Sequence, residues 1–141
     1  MYIAVIDGQG GGIGRVIIDK VRNEFHNSVE ILAIGTNSQA TSAMLRAGAN
    51  EGATGENALI CSVDEVDLIL GSFSIILPKS MKGELTGKMA KRVVVSKARK
   101  ILLPIHRSNI DLVGLHSEPL PHLVEAMVEQ MKQYIASEGR E

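Results

Sequence analysis

The sequence is poor in cysteine and in aromatic residues. A single cysteine, Cys61, excludes an internal disulfide framework and a metal cluster of several thiolates, which is typical of a reducing compartment. We therefore expect a cytoplasmic protein. Two Tyr, two Phe and no Trp offer little surface on which bases could stack, so nucleic acid is disfavoured as a partner.

The chain also lacks an excess of charge and a long hydrophobic run. Fifteen basic residues stand against 16 acidic ones, so no overall field would hold the protein on nucleic acid or on an anionic membrane. The longest apolar stretch, residues 68–77, is interrupted by Gly71 and by serines. We expect neither a signal peptide nor a membrane span. One local imbalance exists, because residues 79–100 contain eight basic residues and one acid, Glu84.

The length of 141 residues, of which 45% are hydrophobic, suits one domain with its own core, and we expect residues 1–141 to form it. Residues 2–6 are a continuous apolar run, the pattern of a strand that is covered on both faces in a parallel sheet. Apolar residues at three- and four-residue spacing then predict an amphipathic helix over residues 13–27.

The same alternation of strand and helix patterns continues to the end of the chain. Further strands are expected over residues 29–34, 67–71 and 100–105, with a short one at 52–54, an extension at 73–77 and a last one at 112–115. Further helices are expected over residues 36–47, 56–65, 85–98 and 121–136. Thr36 and Gln39 predict a capping box that opens the first of them. Right-handed crossovers turn this order into a three-layer, Rossmann-like α/β sandwich with a mostly parallel sheet of about five strands.

Glycine is abundant, with 14 residues, of which five lie between Gly8 and Gly14. A loop that leaves a strand and enters a helix exposes backbone amides beside the positive end of the helix dipole, which attracts phosphate. The candidate binding residues are therefore Asp7, Gly8, Gln9, Gly10, Gly11, Gly12, Ile13 and Gly14. Gly35, Thr36 and Asn37 follow the second strand, where the ribose of a dinucleotide would lie, and Gly71 ends another strand at the same edge.

Three other positions have alternative interpretations. Asp7 can hydrogen-bond the loop's own amides, ligate magnesium beside a phosphate, or repel anions. His106 and Arg107 follow a strand at the same edge, which suits proton transfer, recognition of a carboxylate or phosphate, or a solvated loop. Cys61 lies in an apolar run and is expected to be a buried small hydrophobe. No metal site is expected, and no catalytic residue is identified.

Gly8, Gly12, Ile13 and Gly14 resemble the Gly-x-x-x-Gly-Ile-Gly turn of short-chain dehydrogenase/reductase enzymes, over about the first forty residues. The Tyr-x-x-x-Lys of that family is absent, so the resemblance does not imply dehydrogenase activity. Over its whole length the chain resembles a small bacterial family known as a domain of unknown function. That resemblance is carried by residues 7–14, 35–37, 43–44, 48–50, 52–57, 80–81, 83–86 and 100–104. It implies a Rossmann-like, nucleotide-binding fold without an established substrate.

These observations predict binding of a nucleotide, a dinucleotide such as NAD(P), or another phosphorylated small molecule at the glycine-rich loop. Two alternatives stay open: a ligand-sensing regulatory or protein-interaction module, and a phosphotransfer or hydrolytic enzyme with magnesium at Asp7. The short chain, the open sheet edges and methionines expected to be exposed on the last helix predict a homodimer.

Overall fold

Five strands alternate with five helices in the computed structural model, which describes residues 1–138. The strands are β1 (Tyr2–Asp7), β2 (Glu30–Gly35), β3 (Glu51–Thr54), β4 (Leu68–Ser72) and β5 (Arg99–Leu103). The helices are α1 (Gly12–Phe25), α2 (Ser38–Ala47), α3 (Glu56–Ser62), α4 (Gly87–Val95) and α5 (Leu120–Glu138). Short 3-10 turns lie at His26–Ser28, Phe73–Ile76 and Met81–Gly83.

The sheet has the order β3-β2-β1-β4-β5, and all of its strand pairs are parallel. The chain moves outward from β1 through β2 to β3, and then returns to the other side of β1 to form β4 and β5. Because the direction of travel reverses between β1 and β4, the loops that leave these two strands diverge and open a crevice at the carboxyl edge. The fold class predicted from the sequence is confirmed.

Both faces of the sheet are covered by helices, which explains the uninterrupted apolar run of β1. Ile3 and Val5 point into one core with α1, α2 and α5, whereas Ala4 and Ile6 point into a second core with α3 and α4. All four side chains are buried. A strand with one solvated face would show polar residues at alternate positions, and β1 has none between Tyr2 and Ile6.

Two predicted strands are wrong. Residues 73–77 do not extend β4; Phe73–Ile76 is a 3-10 helix, because the chain leaves the sheet after Ser72 and Ile75 turns back into the core against Gly71. Residues 112–115 form no strand, and Val113 is fully exposed. The helix predicted over residues 85–98 is shorter than expected, since it starts after Thr86, whose side chain caps it.

The expected environments of Cys61 and of the terminal methionines are also wrong. Cys61 is exposed, because Leu59 and Val63 fill the side of α3 that faces the sheet. Met127 and Met131 are buried, as part of the stripe with which α5 packs against the first core. Among residues 1–138, no helix combines the length and hydrophobicity that crossing a bilayer requires.

Candidate ligand-binding site

The carboxylate of Asp7 closes the glycine-rich loop from the inside. Its Oδ1 accepts a hydrogen bond of 2.8 Å from the amide of Gly8, and its Oδ2 accepts one of 2.7 Å from the amide of Gly14. Asp7 is only 6% exposed. Of the three interpretations given above, bonding to the loop's own amides is the one that the geometry shows. The carboxylate therefore supplies the negative charge that the N-terminus of α1 attracts.

Burial raises the pKa of Asp7 above its ordinary value, since the charged form loses its contact with water. The hydrogen bonds from the amides of Gly14 and Gly8 act in the opposite direction and stabilise the carboxylate, whereas the charge of Glu84 again raises the pKa. A magnesium ion at Asp7 would have to compete with both amide donors for the carboxylate oxygens.

A second carboxylate, that of Glu84, occupies the other side of the loop. One of its oxygens, Oε1, accepts three hydrogen bonds: from the amide of Gln9 at 2.8 Å, from Oγ1 of Thr36 at 2.6 Å and from Nδ2 of Asn37 at 2.8 Å. The bond from Thr36 contributes most to lowering the pKa of Glu84, followed by the bond from Gln9. Three residues that the sequence predicts for the site are thus brought together by one that it does not.

The capping box predicted at Thr36 and Gln39 is wrong. The N-cap of α2 is Asn37, whose Oδ1 accepts a hydrogen bond of 2.9 Å from the amide of Ala40. The hydroxyl of Thr36 instead bonds to Glu84, 48 residues away in the chain. Local sequence favours either residue as a cap, and this long-range contact explains which one is used.

Five of the predicted site glycines pack against their neighbours instead of facing a ligand. Gly8 lies beneath the side chains of Thr36, Met81 and Glu84. A side chain at any of the other four would collide with the backbone of another segment or with a buried side chain. They are Gly11 against Ala40, Gly14 against Met44, Gly35 against Thr41, and Gly71 against Ile6 and Ile75. Only Gly11 also has a left-handed conformation, with φ of 74°.

Gly10 and Gly12 lie in open space, with no atom within 4 Å of the position that a Cβ would take. Among residues 1–138, their amides donate to no protein acceptor. They line an open hollow of about 790 Å³ between α1 and α2, together with Arg15 and Arg46. This hollow lies outside the reversal point of the sheet.

The crevice between the ends of β1 and β4, which we call the switch-point crevice, has a volume of about 410 Å³. Asp7, Gln9 and Ile13 form the wall contributed by the glycine-rich loop. The opposite wall is basic and hydroxyl-rich, and its polar residues come from the segments that follow β4 and β5. They include Ser72, Ser74, Lys79, Lys82, His106 and Arg107.

The segment after β4 holds its two lysines in an unusual backbone conformation. Lys79, Met81 and Lys82 have φ values of 68°, 57° and 56°, in the left-handed region that costs non-glycine residues about 1 kcal/mol or more each. The amide of Lys79 donates to the carbonyl of Leu85 at 2.8 Å, which keeps the segment folded back on itself. Strained residues of this kind cluster at binding sites. Two of the eight basic residues between positions 79 and 100, Lys79 and Lys82, line this wall, so the local excess of charge in the sequence indicates only part of it.

His106 and Arg107 both line the switch-point crevice, as the position of the fifth strand predicts. Nδ1 of His106 lies 2.6 Å from Oγ of Ser108, and its ring centroid lies 5.2 Å from that of Phe73. These contacts fix the ring at the mouth of the crevice. Within the described residues, no group of three or more His, Cys, Asp or Glu side chains is arranged to hold a metal ion.

The two amides bonded to Asp7 lead to a prediction about stability. Asp7→Ala leaves the amides of Gly8 and Gly14 without their acceptor, and an unsatisfied buried donor costs about 1–3 kcal/mol. We expect the free energy of unfolding, measured by urea denaturation, to fall by at least that amount. Asp19→Ala, on the exposed side of α1, is the matched control and should change it by less than about 0.5 kcal/mol. Equal effects of both variants would contradict the role of Asp7.

The lowered pKa of Glu84 predicts that the stability of the protein depends on pH. Because the folded-state pKa of Glu84 is lowered, its ionised form stabilises the protein at neutral pH, and this stabilisation disappears as the pH falls below 4.5 through the lowered pKa. Glu84→Gln keeps an acceptor oxygen and removes the charge. We expect its Tm to lie roughly 3 °C below that of the wild type at pH 7.

The same comparison should give a Tm difference that shrinks as the pH falls below 4.5 and the wild-type carboxyl becomes protonated through its lowered pKa. A difference that does not shrink as the pH is lowered would show that the charge of Glu84 contributes nothing. Thermal denaturation followed by circular dichroism measures both values.

Comparisons with known proteins assign the chain to a family. A family model with the description "Domain of unknown function (DUF3842)" matches residues 2–136. No match was found among curated proteins. Two similar solved structures are a dodecameric FMN-dependent Ubix-like decarboxylase from Escherichia coli O157:H7 (TM-score 0.57, 16% identity, 94% of this chain and 95% of that one) and a universal stress protein from Archaeoglobus fulgidus (TM-score 0.38, 17% identity, 72% and 96%). The decarboxylase shares the fold. The chain belongs to the family described as Domain of unknown function (DUF3842).

Proposed function

We propose that this protein binds a phosphorylated small molecule of the nucleotide type in the switch-point crevice. The observation that carries the proposal is the convergence of Lys79, Lys82, His106 and Arg107 on one crevice. It lies at the carboxyl edge of a parallel sheet, where the strand order reverses, which is the place where open α/β sheets bind ligands. A volume of about 410 Å³ falls in the range of small-molecule sites.

The chemistry of the lining favours phosphate over an uncharged ligand. Lysine and arginine side chains donate charge-assisted hydrogen bonds to phosphate oxygens, and the hydroxyl of Ser72 adds a neutral donor at the end of β4. Leu77 and Ile105 also line the crevice and offer apolar surface for a ring. Apolar walls with a few convergent polar groups are typical of ligand sites.

In this proposal the glycine-rich loop forms one wall of the site and does not bind the phosphate. The amides of Gly8 and Gly14 are bonded to Asp7, and the amide of Gln9 is bonded to Glu84. A phosphate at these three amides would have to displace a carboxylate and would be repelled by it. The amides of Gly10 and Gly12 face the separate open hollow between α1 and α2. The lysines on the opposite wall carry the charge that a phosphate needs.

The FMN-dependent decarboxylase supports the nucleotide class, because FMN is a phosphorylated nucleotide-type cofactor. Its likeness to this chain concerns the fold, so FMN is one test compound among several and NAD(P) is another. The proposal concerns binding and assigns no catalytic residue.

The test is a thermal-shift panel of FMN, AMP, NAD, coenzyme A and ribose 5-phosphate. A ligand at 100 times its Kd stabilises the native state by about 2.7 kcal/mol, which raises Tm measurably. We expect at least one compound to do so. If none raises Tm, the proposed function is wrong.

Removal of the basic wall tests the place of binding. Lys82→Ala/Arg107→Ala removes two cations from the crevice, and we expect Kd for the stabilising compound to rise at least about tenfold. Lys88→Ala/Lys91→Ala removes the same charge from the exposed side of α4 and should leave Kd within about twofold. An equal loss in both double variants would indicate general charge attraction and contradict the crevice.

The proposal also includes a cytoplasmic setting and a homodimer. Val113 and Leu115 are exposed apolar residues in the segment between β5 and α5, and Val94 and Val95 expose further apolar surface at the end of α4. Contact with a second copy would cover such side chains. We expect sedimentation equilibrium to give twice the mass of the chain, and a monomer mass at high protein concentration would refute the dimer.

A further inference from the structure

The space above Gly8 is already filled by the protein's own side chains. A Cβ placed on Gly8 would lie 2.6 Å from Sδ of Met81 and 3.0 Å from Oε1 of Glu84, and it would also meet Oγ1 of Thr36. Gly8 itself is buried. A glycine here therefore allows Met81 and Glu84 to approach the end of β1, and leaves no free surface for a ligand at that point.

This filled space lies on the path that a dinucleotide takes across such a sheet. Dinucleotides span the reversal point, with the pyrophosphate at the loop after β1 and one ribose beside the end of β2. In this protein the end of β2 is followed by Thr36 and Asn37, whose side chains both donate to Glu84. The donors that would meet a ribose hydroxyl are thus bonded to a carboxylate of the chain.

Several hydrogen bonds connect Glu84 to the loops that follow β1 and β2. Three donors from two different loops converge on Oε1 of Glu84 at 2.6–2.8 Å. Nδ2 of Asn37 additionally donates to the carbonyl of Gln9 at 2.9 Å, so the loops after β1 and β2 are joined directly as well. The switch-point crevice is left open on the side of β4 and β5 and is closed on the side of β2.

We propose that Glu84 is a specificity-determining residue, which confines the ligand of the switch-point crevice to mononucleotide-sized phosphates and excludes dinucleotides. This inference rests on the proposed function, because it concerns the same crevice. Its physical basis is twofold. The carboxylate repels the pyrophosphate of a dinucleotide, and Glu84 together with Met81 blocks the passage over Gly8 towards Thr36.

Matched pairs of compounds test the inference: FMN against FAD, and nicotinamide mononucleotide against NAD. Each dinucleotide contains its mononucleotide partner, so a pair differs only in the part that must cross β1. In isothermal titrations of the wild-type protein, we expect the mononucleotide that binds to have a Kd at least tenfold below that of its dinucleotide. Glu84→Ala opens the passage and should reduce this ratio at least tenfold.

Two further variants complete the design. Glu125→Ala removes a carboxylate from the exposed side of α5 and should keep the wild-type ratio. Met81→Ala removes the sulfur above Gly8 and keeps Glu84, so it should also reduce the ratio, and it takes the place of Glu84→Ala if that variant does not fold.

The outcomes separate the two proposals. If no phosphorylated compound binds the wild-type protein, the proposed function fails and this inference fails with it. If mononucleotides and dinucleotides bind the wild type equally, the proposed function stands and the specificity role of Glu84 is overturned. A ratio that neither Glu84→Ala nor Met81→Ala changes overturns it as well.

Discussion

The two hydrogen bonds from the amides of Gly8 and Gly14 to the carboxylate of Asp7 are the constraint on which the site depends. The bond from Gly14 joins the last residue of β1 to the first turn of α1, and so helps to determine how the helix leaves the sheet. Because the carboxylate is buried, its charge has to be met by donors within the protein, and the N-terminus of α1 provides them. The other walls of the crevice lie opposite this strand-to-helix connection.

A strand-to-helix loop of this kind attracts an anion, and in this protein the carboxylates of Asp7 and Glu84 are such anions. Asp7 accepts from the amides of Gly8 and Gly14, and Glu84 accepts from the amide of Gln9 and from the side chains that follow β2. Such contacts stabilise the fold without a ligand. In the proposed function, the external phosphate therefore lies beside the cations after β4 and β5.

The segment between β4 and α4 connects these features. It carries Lys79 and Lys82, which face the crevice, and Glu84, which bonds to the loops after β1 and β2. Its left-handed residues are held by the bond from the amide of Lys79 to the carbonyl of Leu85, and by the bond from Oγ of Ser80 to the carbonyl of Ser74. A backbone fixed in this way would lose little entropy on binding the proposed ligand.

The sequence by itself determined the layered architecture and one wall of the site. The apolar run of β1 and the spacing in α1 are local patterns with the periods of strand and helix, so the α/β sandwich and the glycine-rich loop could be predicted from them. Tertiary structure decided the rest. The local sequence allows either Thr36 or Asn37 to cap α2. Asn37 does so, with the amide of Ala40 three residues away, because the hydroxyl of Thr36 bonds to Glu84, 48 residues away. The basic wall likewise arises because the strand order places the ends of β4 and β5 next to β1, and no local pattern encodes that order.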